Sequence, residues 1–146
     1  MGSSTISFNK AEFEANDTYI ALWLLEVIRQ IDQENENENW LSKLRDEWFI
    51  QATEGFGFGV CPNLTDWLTT DVRRAQMVEL CQRTLRSLET RRTAFSVEEL
   101  EESGVGGNDV SYSKEIPTEP VAEVGRRFLA LLDFDRRGPT FHRKNG

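Results

Sequence analysis

The stretch NDTYIALWLLEVIRQI, residues Asn16 to Ile31, decides the fold class. Ile20, Leu24, Val27, Ile28 and Ile31 recur at helical spacing, and Tyr19, Leu22, Trp23 and Leu25 widen the apolar stripe almost all round. A helix that is apolar on nearly every side is stable only when other elements cover it, so this segment predicts a central, buried helix. Asn16 or Asp17 is placed to cap it.

Working outward from this helix, Asn9 followed by Glu12 has the spacing of a capping box. Phe8 and Phe13 flank it as a hydrophobic staple would, which predicts a short helix from Lys10. Downstream, DQENENEN (Asp32 to Asn39) has no apolar anchor and reads as an exposed acidic connector. A second helix is expected from about Trp40 to Thr53, with Trp40, Leu41, Leu44, Trp48, Phe49 and Ala52 on one face. Thr65 or Asp66 starts a short turn, and Thr70 or Asp71 caps a third long helix ending near Glu89. Its stripe is Val78, Cys81, Leu85 and Leu88, extended backward by Ala75 and Val72. Ser96 with Glu99 is a second capping box, opening a short helix that Gly104 closes. A long loop follows, with a brief extended piece at Val110 to Tyr112. Thr118 and Pro120 then start a last helix with the stripe Val121, Val124, Phe128, Leu131 and Leu132.

The expectation is therefore a mainly α, compact single-domain helical bundle of about four main helices plus short helices, with little or no β. Trp23, Leu24, Trp48, Leu85 and Phe128 are expected in its core. With 146 residues, 38% of them hydrophobic, the chain can bury a substantial single core.

The formal charge of −8 is unevenly spread. From Arg136 onward the chain carries Arg136, Arg137, Arg143 and Lys144 and no acid, which leaves −12 on residues 1–135. Residues 1–135 thus read as an acidic helical domain and 136–146 as a basic tail. An acidic body repels nucleic acid and anionic membrane and speeds encounter with a basic partner. The apolar run Tyr19–Leu25 is too short to span a bilayer and follows acids rather than bases, so neither a signal peptide nor a span is expected and the chain reads as cytoplasmic. Two cysteines, Cys61 and Cys81, are too few for a disulfide framework and lack metal-ligand spacing.

Three stretches invite a chemical reading. EGFGFGVCPN, Glu54 to Asn63, resembles a phosphate loop in its glycines but follows a helix and lacks the lysine and hydroxyl residue such a loop carries. It reads as a turn in which Gly55 ends the helix, Gly55, Gly57 and Gly59 serve backbone geometry, and Phe56 and Phe58 dock on the core or form a recognition loop. DFDRRG, Asp133 to Gly138, begins like a calcium loop, but Arg137 and Lys144 stand where oxygen ligands are required. The single histidine, His142, lies in the tail, which argues against histidine-dependent catalysis. Asp46, Glu47 and Glu54 lie near aromatic residues and are the candidates for carboxylate chemistry. No catalytic, cofactor or metal site is expected.

The remaining signal is acidic clustering. Glu34, Glu36 and Glu38 alternate with asparagine in the connector, and Glu98, Glu99, Glu101 and Glu102 crowd the short helix. Both clusters fit a surface for arginine and lysine as well as ordinary solvated charge. In size and charge the chain is similar to bacterial immunity proteins, although no motif carries that resemblance. It implies a non-catalytic inhibitor that covers a basic toxin with carboxylates. The expected partner is a basic protein, bound by a monomer or weak homodimer, with Phe56, Phe58 and the two acidic clusters as candidate partner residues. The alternatives are a nucleic-acid mimic that regulates a DNA-binding protein, and a small carboxylate-based enzyme.

Overall fold

A computed structural model describes residues 2–33, 38–55, 59–91, 93–107 and 111–137. The element order is β1 (Ser3–Phe8), β2 (Ala11–Asn16), α1 (Asp17–Asp32), α2 (Asn39–Thr53), α3 (Leu64–Trp67), α4 (Asp71–Arg91), β3 (Ala94–Phe95), α5 (Val97–Ser103), β4 (Ile116–Pro117) and α6 (Thr118–Arg137). The fold is a mainly helical single domain with two small antiparallel sheets, β1–β2 and β3–β4.

Helix α1 is the centre of the molecule, packing against α2, α4 and α6. Its residues Ile20, Ala21, Trp23, Leu24, Val27 and Ile31 are fully buried, as its all-round apolar pattern requires. Asn16 caps it, its Oδ1 accepting from the amides of Thr18 at 2.8 Å and Tyr19 at 3.4 Å. Phe128 of α6 joins the layers. Its ring meets Trp23 (6.0 Å between centroids), Trp48 (6.2 Å) and Phe13 (6.3 Å), all edge-on, the arrangement that brings positive ring edges onto negative faces.

The main departure from the sequence reading is at the N-terminus. Residues 11–16 are not a helix but the second strand of a hairpin, with Phe8 paired to Ala11 across a two-residue turn and Ile6 to Phe13. Asn9 takes φ 55°, the left-handed conformation that asparagine tolerates in tight turns. Its amide donates to Thr65 Oγ1 instead of its side chain capping a helix. Alternation is the reason: Ile6 and Phe8 are buried while Thr5 and Ser7 face out, a period of two that a helix cannot present. The structure adds a second strand pair. Ala94 and Phe95 pair with Pro117 and Ile116, and the extended piece falls there rather than at Val110–Tyr112, of which Val110 lies outside the described residues.

Helix α4 is rotated by about one residue from its expected face. Met77, Val78, Leu80, Cys81, Thr84 and Leu88 are buried, Leu85 is only half-buried, and Val72 and Ala75 are exposed. Thr84 disguised this face, because its hydroxyl donates back to the Leu80 carbonyl at 2.7 Å and the residue packs as an apolar one. On α2, Phe49 points outward, one helical step past the buried Trp48. The end of α2 also differs. Glu54 leaves the helix in an extended conformation (φ −83°, ψ 163°), and Gly55 is not left-handed. Among the described residues, the left-handed glycine of that loop is Gly59, at φ 81°. The capping box of α5 and its left-handed Gly104 (φ 76°) form as expected. Among the described residues no helix is long and apolar enough to cross a membrane.

Candidate functional site

The C-terminus of α2 and the short helix α5 meet through backbone. The amide of Gly106 donates to the Ala52 carbonyl at 2.8 Å, and Gly107 lies so close that a Cβ there would stand 2.7 Å from the Thr53 carbonyl oxygen. Leu100 and Val105 are buried beneath this junction and fix α5 against the core. Above it runs an open groove of about 580 Å³ lined by Phe49, Thr53, Glu54, Gly55, Glu101, Glu102, Ser103, Gly104 and Gly107.

The groove's charge is of one sign. Three carboxylates line it and, among the described residues, no basic side chain does. The carbonyl end of α2 points the same way, and neither α2 nor α5 carries a basic residue in its last turn. Beside the acids, Phe49 is 43% exposed, and the neighbouring Ile50 is 56% exposed. The Arg45 guanidinium lies 5.9 Å from the Phe49 ring centroid. It is held there by Asp32, to which it donates through Nε at 2.6 Å and a terminal nitrogen at 3.0 Å. The result is a cation-favouring trough with an aromatic wall.

Among the acids expected to contact a partner, the structure separates those used by the fold from those that present an exposed carboxylate. Glu101 and Glu102 enter the groove, and Glu98 is exposed on the same short helix. Glu99 is committed to the capping box, its Oε1 accepting from the Ser96 amide at 3.0 Å. Glu38 is exposed, yet its carboxylate accepts from the Trp40 indole at 3.0 Å and the Gln76 side-chain amide at 3.1 Å, tying α2 to α4. Arg73 completes that cluster, 5.0 Å from the Trp40 ring centroid. Glu34, Glu36, Phe56, Gly57 and Phe58 lie outside the described residues, as do residues 138–146 of the basic tail.

The carboxylates considered for chemistry divide in the same way. Glu47 accepts from the Trp67 indole at 2.9 Å and the Asn63 side-chain amide at 3.1 Å, so it anchors α3 to α2. Asp46 is exposed, 3.5 Å from Arg45. Glu54 lines the groove. Sequence reasoning missed Phe49 as a surface residue and Glu54 as a neighbour of Glu101 and Glu102. Helical angle does not separate Phe49 from Trp48, because neighbours such as Trp40 and Leu41 on the same helix are both buried. Both placements needed the fold. Among the described residues no group of three or more His, Cys, Asp or Glu side chains is placed to hold a metal ion.

A smaller polar hollow of about 120 Å³ lies beside the hairpin, lined by Thr5, Ser7, Cys61, Pro62, Asn63, Leu64, Thr65 and Asp66. Its exposed Cys61 thiol contacts Asn63 Oδ1 at 3.1 Å. Comparison of the chain with protein-family models, curated proteins and solved structures finds no match.

Proposed function

We propose that this protein is a non-catalytic acidic binding domain that holds a basic protein partner at the groove between α2 and α5. The observation that carries the reading is the convergence of Glu54, Glu101 and Glu102 with exposed Phe49 in one open trough, with no basic side chain among its described lining residues. An apolar anchor ringed by charges of one sign suits recognition of a complementary protein surface, with the charges steering encounter and the aromatic resisting dissociation. The −12 carried by residues 1–135 adds a long-range field of the same sign. An inhibitor in the manner of immunity proteins would work in this way.

The test is affinity capture from a native lysate at low and moderate salt, run in parallel with the wild-type chain and with a Glu54→Gln, Glu101→Gln, Glu102→Gln variant. A basic protein retained by the wild type and lost by the variant supports the reading. Retention of the same proteins by both moves the interface away from the groove. Absence of any basic protein from the captured set rejects the binding reading.

A further inference from the structure

We propose that the hollow against the outer edge of β1 binds the amino-terminal end of a peptide chain. The inference is independent of the α2–α5 groove and of the basic partner assigned to it. It starts from the hairpin register. Phe8 faces Ala11 across the two-residue turn, which makes them a hydrogen-bonded pair, and alternation then puts Ile6–Phe13 and Ser4–Ala15 in the same class. Thr5 and Ser7 on β1, and Glu12 and Glu14 on β2, therefore turn their N–H and C=O groups away from the hairpin. On β2 this orientation is used, since the Glu14 carbonyl accepts from Arg127 Nη1 at 3.4 Å. On β1 the outward groups of Thr5 and Ser7 meet no other backbone among the described residues.

An open edge of this kind is a template for another extended chain. Here the loop after α2 limits how much chain can enter. It is tied to the hairpin at both ends, by the Val60 amide donating to Ser4 Oγ at 2.9 Å and by the Asn9 amide donating to Thr65 Oγ1 at 3.0 Å. Between those ties Thr5 and Ser7 line the hollow of about 120 Å³, which has room for the first residue or two of a chain but not for a strand passing through. Charge selects which end enters. Asp66 lines the hollow, its carboxylate has no hydrogen-bond or ionic partner among the described residues, and no basic side chain lines the hollow with it. A carboxylate end is repelled there, whereas an ammonium finds Asp66 and the Thr65 hydroxyl oxygen beside the outward carbonyls of β1.

The experiment is an NMR titration of the ¹⁵N-labelled full chain with trialanine amide, with its N-acetylated form and with its form N-methylated at both peptide bonds. The second peptide lacks the charge, and the third lacks the donors that pair with a strand edge. Trialanine amide should shift the amides of Thr5, Ser7, Cys61 and Asn63–Asp66. It should bind about two- to fivefold more tightly than the acetylated peptide, the worth of one exposed ion pair. The N-methylated peptide should not bind. Asp66→Asn, at an exposed residue and with its fold checked by near-ultraviolet circular dichroism, should remove the advantage of the free amine. Equal affinity of the free and acetylated peptides for the wild-type hollow overturns the amino-terminal assignment, and undiminished binding of the N-methylated peptide overturns pairing with the edge. Shifts confined to the α2–α5 groove, or no shifts at all, overturn the site, and each of these results leaves the capture test of the groove standing.

Discussion

Gly125 of α6 lies directly against the indole of Trp23 in α1: a Cβ at position 125 would stand 2.5 Å from Cζ3 and 2.6 Å from Cη2. Glycine weakens a helix interior, so its presence here follows from the close approach of the two helices. The indole is fully buried, and its Nε1 has no hydrogen-bond partner among the described residues. Packing around Trp23 has therefore been kept despite an unpaired polar atom, whose burial costs about 1–3 kcal/mol.

Gly125→Ala should consequently destabilise the protein. Helix propensity alone would favour alanine by about 1 kcal/mol. Overpacking a core typically costs about 1–3 kcal/mol, and here the clash is with a rigid ring on a central helix. The expected net loss in urea denaturation is up to about 2 kcal/mol. In the Trp23→Phe background the same substitution should cost less, because the atoms it strikes are gone. An additive double mutant would mean that Trp23 and Gly125 are not energetically coupled.

Ser4 joins three segments. Its hydroxyl donates to Asp17 Oδ1 and accepts from the Val60 amide at 2.9 Å, linking β1, the start of α1 and the loop after α2. Asp17 is 2% exposed, so Ser4→Ala leaves a buried carboxylate oxygen without this donor. A loss of about 1–3 kcal/mol is expected. Faster hydrogen exchange at the Val60 amide should accompany it, and unchanged exchange there would show that the loop is held by other contacts.

The two cysteines should be distinguishable by reactivity. Cys61 is exposed, whereas Cys81 is fully buried on α4 and burial alone pushes its thiol well above the usual range. Because the thiolate is the reactive form, a thiol reagent should label one cysteine in the native protein and the second only on unfolding. Peptide mapping should place the fast label on Cys61. Rapid native labelling of Cys81 would mean that α4 opens locally.

Arg126 clamps α4 to α6. It contacts Glu89 at 2.8 Å, Glu119 at 2.8 Å and Glu123 at 3.1 Å, and its hydrogen bonds hold the Glu119 carboxyl below the usual carboxylate range. A carboxyl depressed in the folded state stabilises that state above its unfolded value, and the contribution is lost as pH falls through the native value. Glu119→Gln should therefore be slightly less stable than wild type at neutral pH, and the difference should vanish below the carboxylate range. Since Glu119 is exposed, added salt should also shrink the difference. A gap between the two proteins that persists in strong acid would trace to packing.

Where the residue pattern carries its own physics, the sequence sufficed. The all-round apolar run Ile20–Ile31 had to be a covered helix, and the Asn16 cap and the Ser96–Glu99 box act within a few residues of themselves. The stripe of α6 buries Val121, Val124, Phe128, Leu131 and Leu132 as spaced. Local signals failed where two structures share one spelling. Phe8–Asn9 and Glu12–Phe13 satisfy a helix start as written, but the alternation of Ile6 and Phe8 and their burial against the core made the segment a hairpin instead.

The candidate site was legible only in part. Glu101 and Glu102 stood out as acids on a short helix, but so did Glu99, and Glu38 stood out in the connector. The Ser96–Glu99 spacing marked Glu99 as part of a capping box, but nothing local separates a carboxylate open to a partner from one spent on Trp40 and Gln76. Composition determined that the chain is acidic, and its apolar spacing that it is helical. Tertiary structure alone brought Glu54, at the end of α2, beside Glu101 and Glu102, distant in sequence, and turned Phe49 out toward them. The physical reason is that a hydrogen bond inside one helix depends on spacing along the chain, whereas a groove depends on how two helices dock. That docking was set by the buried Leu100 and Val105 and by the Gly106–Ala52 backbone bond, contacts that no local pattern encodes.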